Sequence, residues 1–123
     1  GKYVMTLEDS MTYRKFDDVI GCCGGWRETH YGGNIFPKDK RPIWQIPLSA
    51  IIPKKTYNLL VAGRCFSYAA DLIEDARIIG AAMITGHAAG VAATVALTIG
   101  SSVQSLPYKD VQRLLLSQNA YLG

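Results

Sequence analysis

From residue 78 to residue 108 the chain carries no charged side chain, and all but three of its 13 basic and 10 acidic residues lie at or before Arg77. A helix or strand in that stretch has no solvated face, so it must be covered on most sides. The chain lacks any C-x-x-C pair, and Cys22, Cys23 and Cys65 make an odd number. A closed disulfide framework and a zinc knuckle are thereby excluded, and no metal site is expected. Cys22 and Cys23 are neighbours, and a disulfide between neighbours strains the peptide joining them. They read as two small, semi-buried side chains in a glycine-rich turn, with a redox-active pair as the alternative. A basic surface is missing too: a net charge of +3 is too small for a phosphate-binding face, so no nucleic-acid partner is expected. There is no initiator Met and no basic-then-apolar leader, and Gly1 reads as an internal cut or a cloning scar. The expectation is a fragment.

The 123 residues present suffice for one core, and 49% apolar against 19% charged residues argues against disorder. Lys2 to Met5 reads as the end of a strand. Thr6-Leu7-Glu8-Asp9 follows as an N-cap with an acidic first turn, opening a helix expected over 7–19. Gly21-Cys22-Cys23-Gly24-Gly25 and Tyr31-Gly32-Gly33-Asn34 break regular structure and open a long loop. That loop holds Trp26, Arg27, His30 and Tyr31, groups that suit a ligand pocket and equally suit a surface loop with aromatic anchors. Residues 43–52 are rich in strand formers, with Pro47 forcing two short strands or one kinked strand. Asn58-Leu59-Leu60-Val61-Ala62-Gly63 has the apolar run of a strand buried on both faces of a parallel sheet.

Residues 78–99 predict one long helix, stopped by Gly100-Ser101-Ser102. By length it is able to span a bilayer, and Gly86 and Gly90 form a G-x-x-x-G pair. Its wealth of Ala, Gly and Thr, its His87, and the lack of an aromatic belt or a following basic cluster favour a packed helix over a membrane span. Gly86, Ala89, Gly90 and Ala93 are expected to form the flat strip of close contact with the 59–62 strand. The strands in this chain are too few to cover a helix apolar all round, which points to a burial partner outside it. A closing helix follows Ser105-Leu106-Pro107, with Ser105 as N-cap and Val111, Leu114, Leu115 and Leu116 as its apolar face.

Asn58 to Cys65, then Ser67, Arg77, Gly86-His87-Ala88-Ala89-Gly90 and Ala92-Ala93, resemble the C-terminal signature of the FAD-dependent oxidoreductase family. Tyr3 to Asp9, Phe16 to Ile20, His30, Ile46 to Lys54 and Gln118 to Leu122 match its order of segments. The resemblance covers nearly the whole chain. It implies a fold class of α/β or α+β: a piece of a Rossmann-like FAD domain, comprising its last strand, a long apolar helix and a closing helix. Residues 1–52 would be the tail of an inserted substrate domain with its glycine-rich loop, and residues 53–123 the C-terminal portion of the FAD domain. The implied reaction is hydride transfer between a small organic substrate and FAD. Members are frequent in bacteria that degrade polysaccharides, which brings a carbohydrate-related substrate into view. The implied partners are the N-terminal part of the same protein and the substrate, with room left for a homo-oligomer.

Residue by residue, the resemblance carries Gly63, Arg64 and Cys65 over as the turn beside the ribityl and pyrophosphate portion of FAD. Gly63 suits that role because a missing Cβ lets backbone approach a ligand. Arg77 and the helix start at Ile78, Ile79, Gly80 and Ala81 are carried over to the flavin ring, where free N–H groups and the positive helix end favour negative charge. Without the resemblance, Arg64 reads as a partner for Asp71 or Glu74, and Arg77 as a solvated residue at a helix start. Three departures stand out. Ala69-Ala70 replace the family's Thr-His, Gly80 replaces a Pro, and Asp71-Leu72-Ile73-Glu74-Asp75 is unusually acidic and bulky. Alanines transfer no proton, so acid–base work passes to His30 or to a residue outside the chain. No G-x-G-x-x-G occurs, so the ADP end of the cofactor has no seat here. The rival class is a non-catalytic α+β module that docks its apolar helix on a partner chain.

Overall fold

The computed structural model describes residues 1–24 and 43–123. In chain order these give helix α1 (Leu7–Met11), strands β1 (Val19–Gly24) and β2 (Ile43–Pro47), a short helix α2 (Ile73–Ala76), the long helix α3 (Ile79–Ile99) and helix α4 (Tyr108–Ser117), with short 3-10 turns between. The result is a small α+β arrangement in which a two-stranded antiparallel sheet packs against α3, and α4 lies against both.

Thr6 opens α1 as expected, through a reciprocal capping box. Its hydroxyl accepts the Asp9 N–H at 3.3 Å, and Asp9 Oδ2 accepts the Thr6 N–H at 2.9 Å. Asp9 is buried, and burial pushes its carboxyl up. Hydrogen bonds from Thr6, Tyr3 and Arg14 outweigh that and hold it below the ordinary carboxylate value. The helix is much shorter than the expected 7–19. Tyr13 takes a left-handed conformation at φ 54, and the Arg14 N–H folds back to the Asp9 carbonyl at 3.1 Å, closing the helix end.

The stretch expected to break structure at Gly21-Cys22-Cys23-Gly24 is instead β1, paired with β2 in a register that sets Cys22 opposite Gln45 and Cys23 opposite Trp44. Glycine is tolerated there because the helix lies directly above it. A Cβ on Gly21 would sit 2.5 Å from Ile84 Cγ2, and one on Gly80 would sit 3.5 Å from Cys23 Sγ. Pro47 ends β2, and Leu48–Ala50 continues as a 3-10 turn rather than a second strand. Lys2 to Met5 contributes a single parallel bridge, Met5 to Tyr68. Buried Gln45 ties the sheet to both ends of the chain, accepting the Phe16 N–H at 2.9 Å and donating to the Leu122 carbonyl at 3.0 Å.

Two expectations fail. The segment 58–63 forms no strand. Leu59 is exposed, and the segment meets the rest of the backbone through Val61 N–H donating to Ile51 O at 2.9 Å. A parallel strand exists only between neighbours, and among the described residues no strand lies beside it. The expected glycine strip on α3 fails too, because Gly86 and Gly90 are exposed with nothing within 4 Å of an added Cβ. The buried face is Ala81, Thr85, Ala88, Val91, Ala92, Val95 and Ala96. Side chains with carbon to remove from water take the inside, whereas a glycine gains little there. The helix extent and its stop at Gly100, left-handed at φ 64, agree with the sequence. In α4, Pro107 rather than Ser105 is the N-cap, Val111 and Leu115 are buried, and Leu116 is exposed.

The Gly21 contact gives a stability prediction. Gly21→Ala drives a methyl into the stiff, branched Ile84 and should cost about 1–3 kcal/mol in chemical denaturation. Adding Ile84→Ala should recover part of that loss. A Gly21→Ala protein as stable as the parent would show that the strand and helix do not meet there.

Candidate functional site

The polypeptide from Ala62 into the 3-10 turn Gly63–Cys65 runs up to α3. Gly63 supplies a left-handed φ of 67 with open space where a Cβ would be, and its N–H donates to Thr85 Oγ1 at 2.9 Å. Thr85 is in the second turn of α3, so the Gly63 turn meets the helix there. Arg64 and Cys65 are exposed, and the Arg64 carbonyl accepts the Tyr68 hydroxyl at 3.1 Å.

Helix α3 begins without a side-chain cap, because Ile78 is extended and has no oxygen to offer. The N–H groups of Ile79, Gly80 and Ala81 therefore have no acceptor within the helix, and the partial positive charge of the helix end is concentrated there. Of the side chains expected here, Ile79 is 79% exposed, Gly80 and Ile78 are half-buried, and Ala81 is fully buried. Arg77 is exposed and held by Glu74, with its Nη2 and Nε at 2.7 and 3.1 Å from Glu74 Oε2. It is thus neither merely solvated nor free. An exposed pair of this kind contributes about 0.2–1 kcal/mol and leaves the guanidinium able to turn to another anion. His30, with Trp26, Arg27 and Tyr31, lies outside the described residues.

The sequence reading missed two groups. Thr85 is the one hydroxyl residue among positions 79–93, and its place on the Ala81–Ala88 face was the available signal. Cys23 was noticed only as half of a vicinal pair. Its thiol is buried beside Gly80 at the helix start, while Cys22, on the opposite face of the strand, lies near Gly123 and Gln45. Both are free thiols, and alternation along the strand turns their side chains apart, which opposes a disulfide between them. Burial, reinforced by the nearby Asp75 carboxylate, pushes the Cys23 thiol up from its ordinary 9.0 to about 11.

The site therefore comprises a turn left open at a glycine, tied to α3 at Thr85, and the uncapped N-terminus of that helix, whose partial positive charge favours anions. The chain belongs to the FAD dependent oxidoreductase family, whose family model matches residues 1–115. No curated protein and no solved structure matches it. Membership assigns it to flavin-dependent oxidoreductases. The residues present fit part of FAD: the Gly63 turn leaves room for close backbone approach, and the α3 end carries N–H groups with no acceptor inside the helix. They do not supply a seat for the ADP end, for which the sequence has no glycine-rich fingerprint.

The raised Cys23 thiol sets a pH dependence. Between its ordinary pKa of 9.0 and its folded value of about 11, the unfolded chain gives up the proton and the folded chain keeps it. Stability from this group is complete below pH 9 and is lost as pH climbs to 11. Denaturation curves from pH 8 to 11 should show this loss shrinking in Cys23→Ala relative to the parent. Equal slopes in the two proteins would mean the thiol is not buried as described.

Proposed function

We propose that this chain is the C-terminal part of a flavoenzyme that moves a hydride between a small organic substrate and FAD. In this reading the chain completes a Rossmann-like FAD domain whose glycine-rich half lies outside these 123 residues. The observation that carries it is the family match over residues 1–115, combined with the pairing of the Gly63 turn and the uncapped α3 start. Flavin, when bound, supplies the redox chemistry, and the protein supplies binding, orientation and electrostatics. Gly63, Arg64 and Cys65 hold the ribityl and pyrophosphate side. Arg77, Ile78, Ile79, Gly80 and Ala81 serve the ring's pyrimidine edge, where donors and positive charge favour the negative charge that arrives with the electrons. Ala69 and Ala70 have no proton to give, so acid–base work falls to His30 or to a residue outside this chain.

Helix α3 is long and apolar enough to cross a membrane, and 33% of its most apolar window is buried. We read it instead as a packing helix. Its open face, with Ile79, Met83 and Leu97 each at least 70% exposed, receives the glycine-rich half of the FAD domain. An absorbance spectrum of the full-length product tests the whole reading, since bound flavin makes the protein yellow and a non-catalytic docking module stays colourless. Residues 1–123 alone should bind FAD weakly or not at all in a fluorescence titration. Tight stoichiometric binding by this piece would overturn the division of the cofactor seat.

Arg77 gives the sharper prediction. Arg77→Met in the full-length protein should lower the midpoint potential of bound FAD, since a positive charge near the reduced ring is lost. With Glu74 sharing that charge the effect should be about 1 kcal/mol, or roughly 20 mV for a two-electron couple. Arg113→Met is the control, because Arg113 pairs with Asp110 in α4 at 2.9 Å and is not assigned to the cofactor seat. A potential unchanged in both variants leaves Arg77 as a partner of Glu74 alone.

A further inference from the structure

We infer that Thr85 is a positioning residue for the cofactor seat: its hydroxyl fixes the distance between the Gly63–Cys65 turn and the first turns of α3. This rests on the flavin reading above and deepens it. Thr85 is fully buried, and its hydroxyl is saturated in a definite way. The hydrogen goes to the Ala81 carbonyl at 2.8 Å, with the Ala82 carbonyl at 3.2 Å, and a lone pair accepts the Gly63 N–H at 2.9 Å. The same oxygen thereby grips a carbonyl in the helix's first turn and the leading N–H of the turn beside it. The main-chain groups expected to meet the cofactor from two separate segments are locked together at one atom.

The turn is anchored at both flanks, by the Val61 N–H to the Ile51 carbonyl and the Ser67 N–H to the Ala50 carbonyl, both at 2.9 Å, and by buried Phe66. Where a Cβ would be, Gly63 meets nothing within 4 Å, so packing does not wedge it on that side. Among the described residues, the Thr85 hydroxyl is the hydrogen-bond partner on α3 that the turn has between those anchors. A valine at 85 keeps the volume of threonine but has no oxygen. It would leave the Gly63 N–H unpaired and the turn free to drift from the helix. Serine keeps the oxygen and gives up one methyl group. The helical back-bond from residue 85 to the carbonyl at 81 also holds the side chain in the rotamer that presents its lone pair outward.

The test compares wild type, Thr85→Val and Thr85→Ser in the full-length flavoprotein by three readouts. These are the FAD dissociation constant of the apoprotein, hydrogen exchange at the Gly63 amide, and thermal unfolding without cofactor. Thr85→Val should weaken FAD binding and speed Gly63 exchange, each about tenfold, while Thr85→Ser stays within about twofold of wild type in both. A merely structural role would lower the unfolding temperature without a change in FAD affinity that serine rescues. The inference falls if Thr85→Val binds FAD like wild type while Gly63 exchanges faster. It falls equally if Thr85→Ser folds and loses FAD, a result that remains decisive should the valine variant not fold. A wild-type protein that holds no FAD overturns the flavin reading itself, a different result from wild-type binding that Thr85→Val leaves unchanged.

Discussion

Helix α3 can rest against β1 only because side-chain carbon is missing where the two cross. Gly21 makes room for Ile84, and the helix presents Ala81, Ala88 and Ala92 to the interior. That close approach sets the geometry on both sides of the crossing. It brings the end of β1 to the uncapped start of α3, and α4, packed against both, is tied to the chain at β1 through Gln112, whose amide donates to the carbonyls of Asp17 and Val19 at 2.8 and 3.0 Å. Interiors packed to crystalline density transmit small displacements, so a methyl group at the crossing is felt at the helix start.

What was legible in the residues was local. The Thr6 cap needs only Thr6 and Asp9, and the stop at Gly100 needs only a glycine able to turn left-handed, so both could be read from sequence. The length of α3 followed from an uninterrupted uncharged run. What failed depended on distant neighbours. Gly-Cys-Cys-Gly has the composition of a turn and becomes a strand because β2 supplies its hydrogen bonds. Asn58 to Gly63 has the composition of a buried strand and forms none, since among the described residues no strand lies beside it. Tyr13 gave no sign of the left-handed conformation that cuts α1 short, since the residues favoured there are Gly and Asn.

The candidate site divides in the same way. That Gly63 and the start of α3 both serve the cofactor was read from resemblance to a family; the residues alone left Arg64 as a partner for Asp71 or Glu74 and Arg77 as a solvated residue at a helix start. The structure ties Gly63 to Thr85 in the second turn of α3 and pairs Arg77 with Glu74, whereas the proposed reading turns Arg77 toward the cofactor. Both can hold, because a surface ion pair is weak enough to be exchanged for a better anion. Thr85 escaped notice because a threonine in an alanine-rich helix is indistinguishable by composition from a core residue; its partner 22 positions away reveals its use.

The uncovered side of α3 bears on the same question by energetics. A helix with no charge over its whole length gains from burial all round, yet Ile79, Met83 and Leu97 stand largely in water. Each forgoes about 1.5–3 kcal/mol that full burial would provide. The midpoint of that face is occupied by Gly86 and Gly90, where open space admits another backbone closely. Large side chains at both ends and small ones between them form a shallow saddle, the shape that accepts a crossing element rather than a flat one. On the proposed reading the crossing element comes from the glycine-rich half of the FAD domain. Its docking would bury those three side chains and set the ADP seat next to the Gly63 turn in one step, so cofactor binding and completion of the fold would be the same event thermodynamically.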